Sequence, residues 1–491
     1  MTNKKFWLGI LVIVLVFGMM VIGCEDEEYP SQPQLQPQPQ PKPGESASNP
    51  IDRVENTNLG TMTSTASGWR QLLNSIESTG KYINLDLSAC TMTGTSFNPG
   101  STVETGKKYI VSIILPTVAT SIEAGTFSDP TFKNFSNLKT INGINIITIG
   151  DYSFNRYDYL KSVDFPKATT IGERAFDSTY LENVNFPKVT IIGDSAFSSC
   201  SSLKNASFPI VQSIGESAFS SCSNLESISF PASAELGLSD GNYSNPFTYC
   251  EKITFTLTGT GSLSTIEKDK ALVRNGTILL AYPSASGNVT LNNIKSIDGN
   301  AFQGLRDLTG INLPQVTSIG SEAFAYCSNI QDVNFPQATI IGPSAFSYCS
   351  RLQSATFPLV TTVGSSAFLA SDNLITLNIP NVTKIEQGAF RYTGNTELSI
   401  TMGSTGPTLG YRMFDDITTS KTVRIKVPSG ATGYSPFSSS SVTVSGTNTN
   451  VNWANGFRGG GWNGYAFDTG STFSQGDYYI NQNITLIIQQ Q

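Results

Sequence analysis

The chain has 491 residues, with 30 Lys or Arg against 37 Asp or Glu, a formal net charge of −7 and an isoelectric point near 4.9. Only 14% of residues are charged and no basic stripe forms, which argues against nucleic acid as a partner; the absence of any His removes Ser-His-Asp and Cys-His catalytic units, imidazole-bound zinc and His proton shuttles. Hydrophobic residues make up 39%, while Ser, Thr, Asn and 43 Gly are plentiful, the composition of an extended β-rich protein with many short strands and tight turns.

Lys4 and Lys5 form a short positive head before an apolar run from Phe6 to Val21. The run ends in Val21-Ile22-Gly23-Cys24, followed at once by Glu25, Asp26, Glu27 and Glu28, which matches a bacterial lipobox. Residues 1–23 are therefore expected to be a lipoprotein signal peptide, with Cys24 left as a lipidated N-terminus that holds the chain on a membrane. Removing them takes away two lysines and no acid, so the net charge moves from −7 to −9. Tyr29 to Pro50 alternates Pro and Gln with almost nothing to bury, so residues 24–50 read as the lipidated Cys and an extended tether. As polyproline II, at about 3.1 Å per residue, that tether reaches roughly 70 Å.

Trp69, Leu72, Leu73 and Ile76 have helical spacing, and KYINLDLS after them alternates as a strand does. This short helix with its strands is expected to cap the first coil, within residues 51–120.

From about residue 121 to 430 one motif repeats: L-x-x-I-x-F-P-x-V-x-x-I-G-x-x-A-F-x-x-C, as in LENVNFPKVTIIGDSAFSSC. Phe302, Phe324, Phe346, Phe368 and Phe390 are 22 residues apart, and Phe127, Phe154, Phe176, Phe197, Phe219, Phe247 and Phe414 read in the same phase. Val163 and Phe165 point inward from a short strand, Asp164 points outward, and Pro166 ends the strand because it has no N–H for a ladder bond. At Ile171-Gly172 the Gly is expected to permit a tight turn, and Ala175-Phe176 fills the interior. One repeat cannot bury its own face, so the units must stack, at about 4.8 Å each, into a solenoid of about a dozen coils roughly 60 Å long.

This signature resembles the BspA-type, or treponemal-type, leucine-rich repeat family, over some two thirds of the chain. The resemblance implies a repeat solenoid, a right-handed leucine-rich repeat array, β-rich with short turns or 3-10 segments on its convex side. It also implies export, surface display and adhesive or host-interacting roles, with no ligand named. An irregular unit near 232–300 breaks the period; Asn275-Gly276, between ALVR and TILLAYP, predicts a two-residue hairpin turn inside a variant coil.

Residues 431–491 are rich in Gly and aromatics. Trp453, Phe457, Trp462 and Tyr465 read first as a C-terminal cap packed on the last coil, with Trp453, Trp462 and Tyr465 the alternative of a ring platform for glycan. Cys200, Cys222, Cys250, Cys327 and Cys349 each lie three residues after a repeat Phe, so they form one buried ladder of free thiols rather than disulfides or a metal site. Carboxylates such as Asp164, Glu173, Glu182 and Asp194 are scattered through exposed slots with no recurring pair, and Asp240-Gly241-Asn242 reads as a turn rather than a calcium loop.

The outward row of the strands is Asp164, Asn185, Ser207, Ser229, Asn312, Asn334, Thr356 and Asn378, uniformly small and polar. It lacks the Trp, Tyr and Arg of tight interfaces, so it either keeps an exposed sheet soluble or binds weakly through many shared hydrogen bonds. The expectation is a non-enzymatic lipoprotein of the bacterial envelope, on the outer membrane and exposed at the surface. It would need no cofactor and no metal and would bind host or bacterial surface proteins or polysaccharide. The alternative is a structural spacer without an external ligand.

Overall fold

A computed structural model describes residues 67–100, 105–238, 245–393, 397–410, 421–429 and 431, with the backbone of strands 449–451 and 484–490. The chain divides into two units, Met1–Ser46 and Ala47–Gln491, and every described residue lies in the second. That unit is a β-solenoid of about 14 turns. The helix Ser67–Thr79 buries Trp69, Leu73 and Ile76, the face its sequence spacing predicts. Trp69 Nε1 donates to the Pro99 carbonyl at 2.9 Å, which ties the helix to the first coil. Coiling begins before residue 120: Ile83–Asp86 already pairs in parallel with Ile110–Ile114.

A regular coil has three walls, and the repeat from Leu181 shows each. The first is the strand Asn183–Asn185, whose Val184 is buried between two exposed Asn side chains. Phe186 then turns the chain, with the Val189 N–H bonded back to its carbonyl. The second wall is the two-residue strand Ile191–Ile192, with Ile192 buried. The third has no regular strand, yet it forms its own ladder to the next coil: Phe176 N–H donates to the Ala196 carbonyl and Ser178 N–H to the Ser198 carbonyl, both at 2.8 Å.

Two columns of this third wall adopt the left-handed region, mostly with residues other than glycine. Arg174, Ser195, Ser217, Glu322, Ser344 and Ser366 have φ between 48° and 54°, and Ser178, Ser199, Ser221, Tyr326, Tyr348 and Ala370 between 53° and 63°. Each such residue costs of order 1–3 kcal/mol in backbone strain. The cost is offset by the ladder bonds this twist aims at the neighbouring coil.

The glycine after the second strand has a different task from the turn expected of it. A Cβ on Gly193 would lie 2.6 Å from Glu173 N and 2.7 Å from Gly172 C, and one on Gly215 would lie 2.6 Å from Asp194 N. The neighbouring coil's backbone occupies that space, so close stacking rather than positive φ requires glycine there.

Within the coils Phe rings stack along the axis. Phe154, Phe176, Phe197 and Phe219 have centroids 5.1, 5.2 and 5.2 Å apart, and Phe302, Phe324 and Phe346 repeat this at 5.0 and 5.1 Å. Phe127 does not belong to the ladder: it is 47% exposed beneath the Arg156 guanidinium at 4.1 Å. A turn at Thr126–Asp129 throws it outward, and Phe132 stacks on Phe154 at 4.5 Å instead. Phe414 lies outside the described residues.

The irregular unit is a three-stranded antiparallel insertion, Leu263–Ile266, Ala271–Arg274 and Ile278–Ala281, whose last strand rejoins the parallel array at Ser296–Ile297. Arg274 pairs with Ile278, so three residues close the hairpin rather than two; Asn275 and Gly276 take φ of 51° and 67°. Its side chains alternate between two cores. Leu272 and Leu280 belong to the core that runs from the helix, while Ala271, Val273 and Leu279 belong to the one that runs on to Ala431.

The first-wall strands form three sheets. One runs from Ile83–Asp86 to Ser162–Asp164, the next from Asn183–Asn185 to Thr254–Thr258, and the last from Gly287–Thr290 to Ile484–Gln490 with Thr449–Val451 antiparallel at its edge. No described helix is long and apolar enough to cross a membrane.

Candidate functional site: the outward faces of the coils

The outward residues of the first wall come together in two runs and one separate position. Asn185 faces Ser207, which faces Ser229. Asn312, Asn334, Thr356 and Asn378 follow one another without a break. Asp164 pairs with Asn142 in the preceding sheet and has no ladder partner in Asn185, so the eight do not make the single row that the sequence implies. Asp164, Asn185, Asn312 and Asn334 are exposed; Ser207, Ser229, Thr356 and Asn378 are half-buried. The face is an array of amides and hydroxyls about 4.8 Å apart, able to share hydrogen bonds with an extended ligand and to anchor little by burial. Cys24, Trp453, Phe457, Trp462, Tyr465 and the turn at Asp240 lie outside the described residues.

Hydrogen bonds along the axis explain many polar positions as scaffold. The Asn of the C-S-N corners donates to the coil before: Asn224 Nδ2 to the Ser201 carbonyl at 2.8 Å and Asn329 Nδ2 to the Arg306 carbonyl at 2.6 Å. Thr339, Thr361 and Thr383 hydroxyls donate in series to the Thr317, Thr339 and Thr361 carbonyls.

The cysteines are scaffold too. All six described are buried and stand outside any disulfide. Cys222 Sγ donates to the Phe197 carbonyl at 3.1 Å and Cys327 Sγ to the Phe302 carbonyl at 3.0 Å, each reaching the Phe of the preceding coil. Burial pushes the Cys250 and Cys327 thiols up to about 12, and those of Cys222 and Cys349 well above the ordinary range. Such thiols stay protonated and are poor nucleophiles.

Two carboxylates are drawn inside the third wall. Asp177, 7% exposed, accepts from Asn155 Nδ2 at 3.2 Å and Arg174 Nη1 at 3.4 Å; burial raises its carboxyl pKa. Glu322, also 7% exposed, accepts from Gln303 Nε2 at 2.5 Å and is raised by burial as well. They stand in different halves of the array, so they cannot act as an acid and base on one substrate. No group of three or more His, Cys, Asp or Glu that could hold a metal ion occurs among the described residues.

The aromatic feature of the surface is one the repeat motif leaves unmarked. Residue 326 and its equivalents at 348, 370 and 392 occupy the second left-handed column, and three of the four are Tyr. The Tyr326 and Tyr348 rings stack at 4.7 Å with only 5° between their planes, and they are 43% and 42% exposed. Tyr392 is equally open, with the Arg391 guanidinium 4.8 Å from its centroid. On the other side the ring of Tyr249 lies over Gly304, filling the place that a side chain there would take. The 22-residue spacing of AYC and SYC was the signal available in the sequence.

The BspA-type leucine-rich repeat family matches this chain in six copies, over residues 120–254 and 284–397. No curated protein matches it. Among solved structures, a leucine-rich repeat protein from Bacteroides ovatus is 23% identical, covering 68% of this chain and 82% of that one, with a TM-score of 0.46. A leucine-rich cell surface protein from Faecalibacterium prausnitzii is 24% identical over 60% and 87%, with a TM-score of 0.46. A leucine-rich repeat protein from Eubacterium ventriosum is 20% identical over 61% and 89%, and its TM-score of 0.50 reflects a shared fold.

Proposed function

Because the chain belongs to the BspA-type leucine-rich repeat family, its matched segments covering just over half of its residues, we propose that it is a non-enzymatic surface lipoprotein whose repeat array binds proteins or glycans outside the cell. The supporting observation is the register of the first wall: from Asn312 to Asn378 the same kind of polar group is presented once per coil, on a rigid spacing. A partner with its own repeat can engage several coils at once, so weak contacts add into useful avidity. Cys24 supplies the lipid anchor in this reading and the Pro-Gln segment the reach, on the strength of the sequence alone.

Protease shaving of intact cells, with a periplasmic protein as control, tests the location. Cleavage in the tether with the control intact is the expected result. Protection until the envelope is broken would replace adhesion by the spacer role.

A further inference from the structure

The third-wall tyrosines of the second half form a column with one gap. Tyr326 and Tyr348 stack on each other, Ala370 follows, and Tyr392 closes the set. The four stand in register, because Tyr326 N–H donates to the Ser347 carbonyl, Tyr348 N–H to the Leu369 carbonyl and Ala370 N–H to the Arg391 carbonyl. Tyr348 and Tyr392 are thus two coils apart, about 10 Å along the axis. A stacked ring sits about 4.5 to 5 Å from its neighbour, so the space above Ala370 is the thickness of one ring held between two others.

Resting on the reading that the array binds an external partner, we propose that the slot over Ala370, walled by Tyr348 and Tyr392, binds one pyranose ring of a neutral polysaccharide. A pyranose carries C–H bonds on its flat face, weakly positive and apolar, which suit the negative face of a Tyr ring. Its rim of hydroxyls needs donors and acceptors at the slot's edge. Tyr392 Oη provides one, and Arg391 Nη2, 3.2 Å from that oxygen, holds it in place and adds N–H donors. The floor is the Ala370 methyl, half-buried and too small to fill the gap.

The charges around the slot nearly balance, which favours an uncharged ligand. Between residues 308 and 392 they are Glu322, Asp332, Arg351, Asp372, Lys384, Glu386 and Arg391, four acids against three bases, with Lys384 and Glu386 paired at 3.0 Å. A protein side chain is a poorer occupant, because tight protein contacts need a water-excluding apolar surround and here the strands beside the column are amides and hydroxyls. The contrast with Gly304 is informative. There the chain's own Tyr249 ring fills the equivalent gap, so the wall accepts an inserted ring where one is offered.

The test is affinity electrophoresis of the full-length chain in mild detergent, through native gels containing soluble starch, laminarin, mannan or xylan. The expected result is retardation by at least one of the four and a loss of affinity of roughly tenfold or more in Ala370→Tyr, which closes the slot with a fourth ring. That variant should fold, since Tyr already occupies this column with φ of 63°, 56° and 55° at 326, 348 and 392, against 53° at Ala370. Tyr348→Ala should lose affinity as well, and Lys133→Ala, a half-buried position of the first half outside both candidate surfaces, should not. Unchanged retardation in Ala370→Tyr overturns the proposal, as does absence of retardation in all four gels. If the protein then still coats cells through a partner that protease removes, the binding reading survives and only the glycan slot is lost.

Discussion

At the scale of the residue, buried polar groups divide into those fixed by the coil next door and those that carry charge inward. The thiols are of the first kind. Their burial is legible in the sequence because the column accepts Cys, Tyr, Thr, Leu and Ser alike; what it does not disclose is the bond each Sγ makes to the preceding Phe carbonyl. Ser371 shows that a hydroxyl serves equally, its Oγ donating to the Phe346 carbonyl at 2.8 Å. Glu322 is of the second kind. Its folded pKa is raised by burial above its unfolded value, so the folded state holds the proton more tightly and stability falls as pH rises from the unfolded pKa through the folded one. Glu322→Gln keeps an acceptor for Gln303 and removes the charge. The variant is expected to be the more stable at pH 7, and its advantage should shrink as the pH falls and vanish below the ordinary Glu range. Paired urea titrations at pH 7 and pH 4 check this, and an advantage equal at both would assign the effect to packing instead.

At the scale of the element, the strands of the regular coils are two or three residues long, too short to hold themselves, and their positions are set by what stacks above and below. This is why the repeat could be read from Phe and Ile spacing while several details could not. Phe127 fits the motif locally, standing five residues after Ile122 as Phe197 does after Ile192, yet stepping back 22 residues from Phe154 lands on Phe132, and it is the axial period that decides which ring enters the ladder. The glycine column shows the same dependence. A turn glycine tolerates Ala where φ is negative, but here the obstacle is the adjacent backbone, which no local pattern reveals. Gly193→Ala is therefore expected to destabilise the array by about 1 to 3 kcal/mol, as overpacked interiors do, despite the higher intrinsic order of Ala. Gly276→Ala, at a hairpin tip where an added Cβ meets nothing within 4 Å, carries only the penalty of its φ of 67° and serves as the comparison in a thermal melt. Equal losses for the two would mean the coils can separate to admit a methyl group.

At the scale of the whole array, the hairpin at Ala271–Ala281 does more than interrupt a period. Its two faces belong to different cores, so side chains of the first half do not continue into the second; the Phe stack stops at Phe247 and Phe255 and restarts at Tyr282 and Phe302. The sequence announces this break through Asn275-Gly276 and the lost period, but a partition between two cores needs both faces of the hairpin to be buried, which alternation in ALVR and TILLA permits without requiring. Repeat arrays are stabilised by nearest-neighbour contacts, and a wall of this kind weakens the coupling between the two sides. Phe346→Ala removes a ring stacked on both sides, Phe324 at 5.1 Å and Phe368 at 5.5 Å, with an expected cost of about 3 to 5 kcal/mol. That loss should be confined. Hydrogen exchange in the variant is expected to accelerate across residues 297–390 and to stay at the parent rate across residues 141–255. Uniform acceleration would instead make the hairpin a relay between the cores. The confined outcome has a functional corollary: the tyrosine column and the polar strand face of the second half both stand on the second core, so the two candidate binding surfaces would gain or lose order together, independently of the first half.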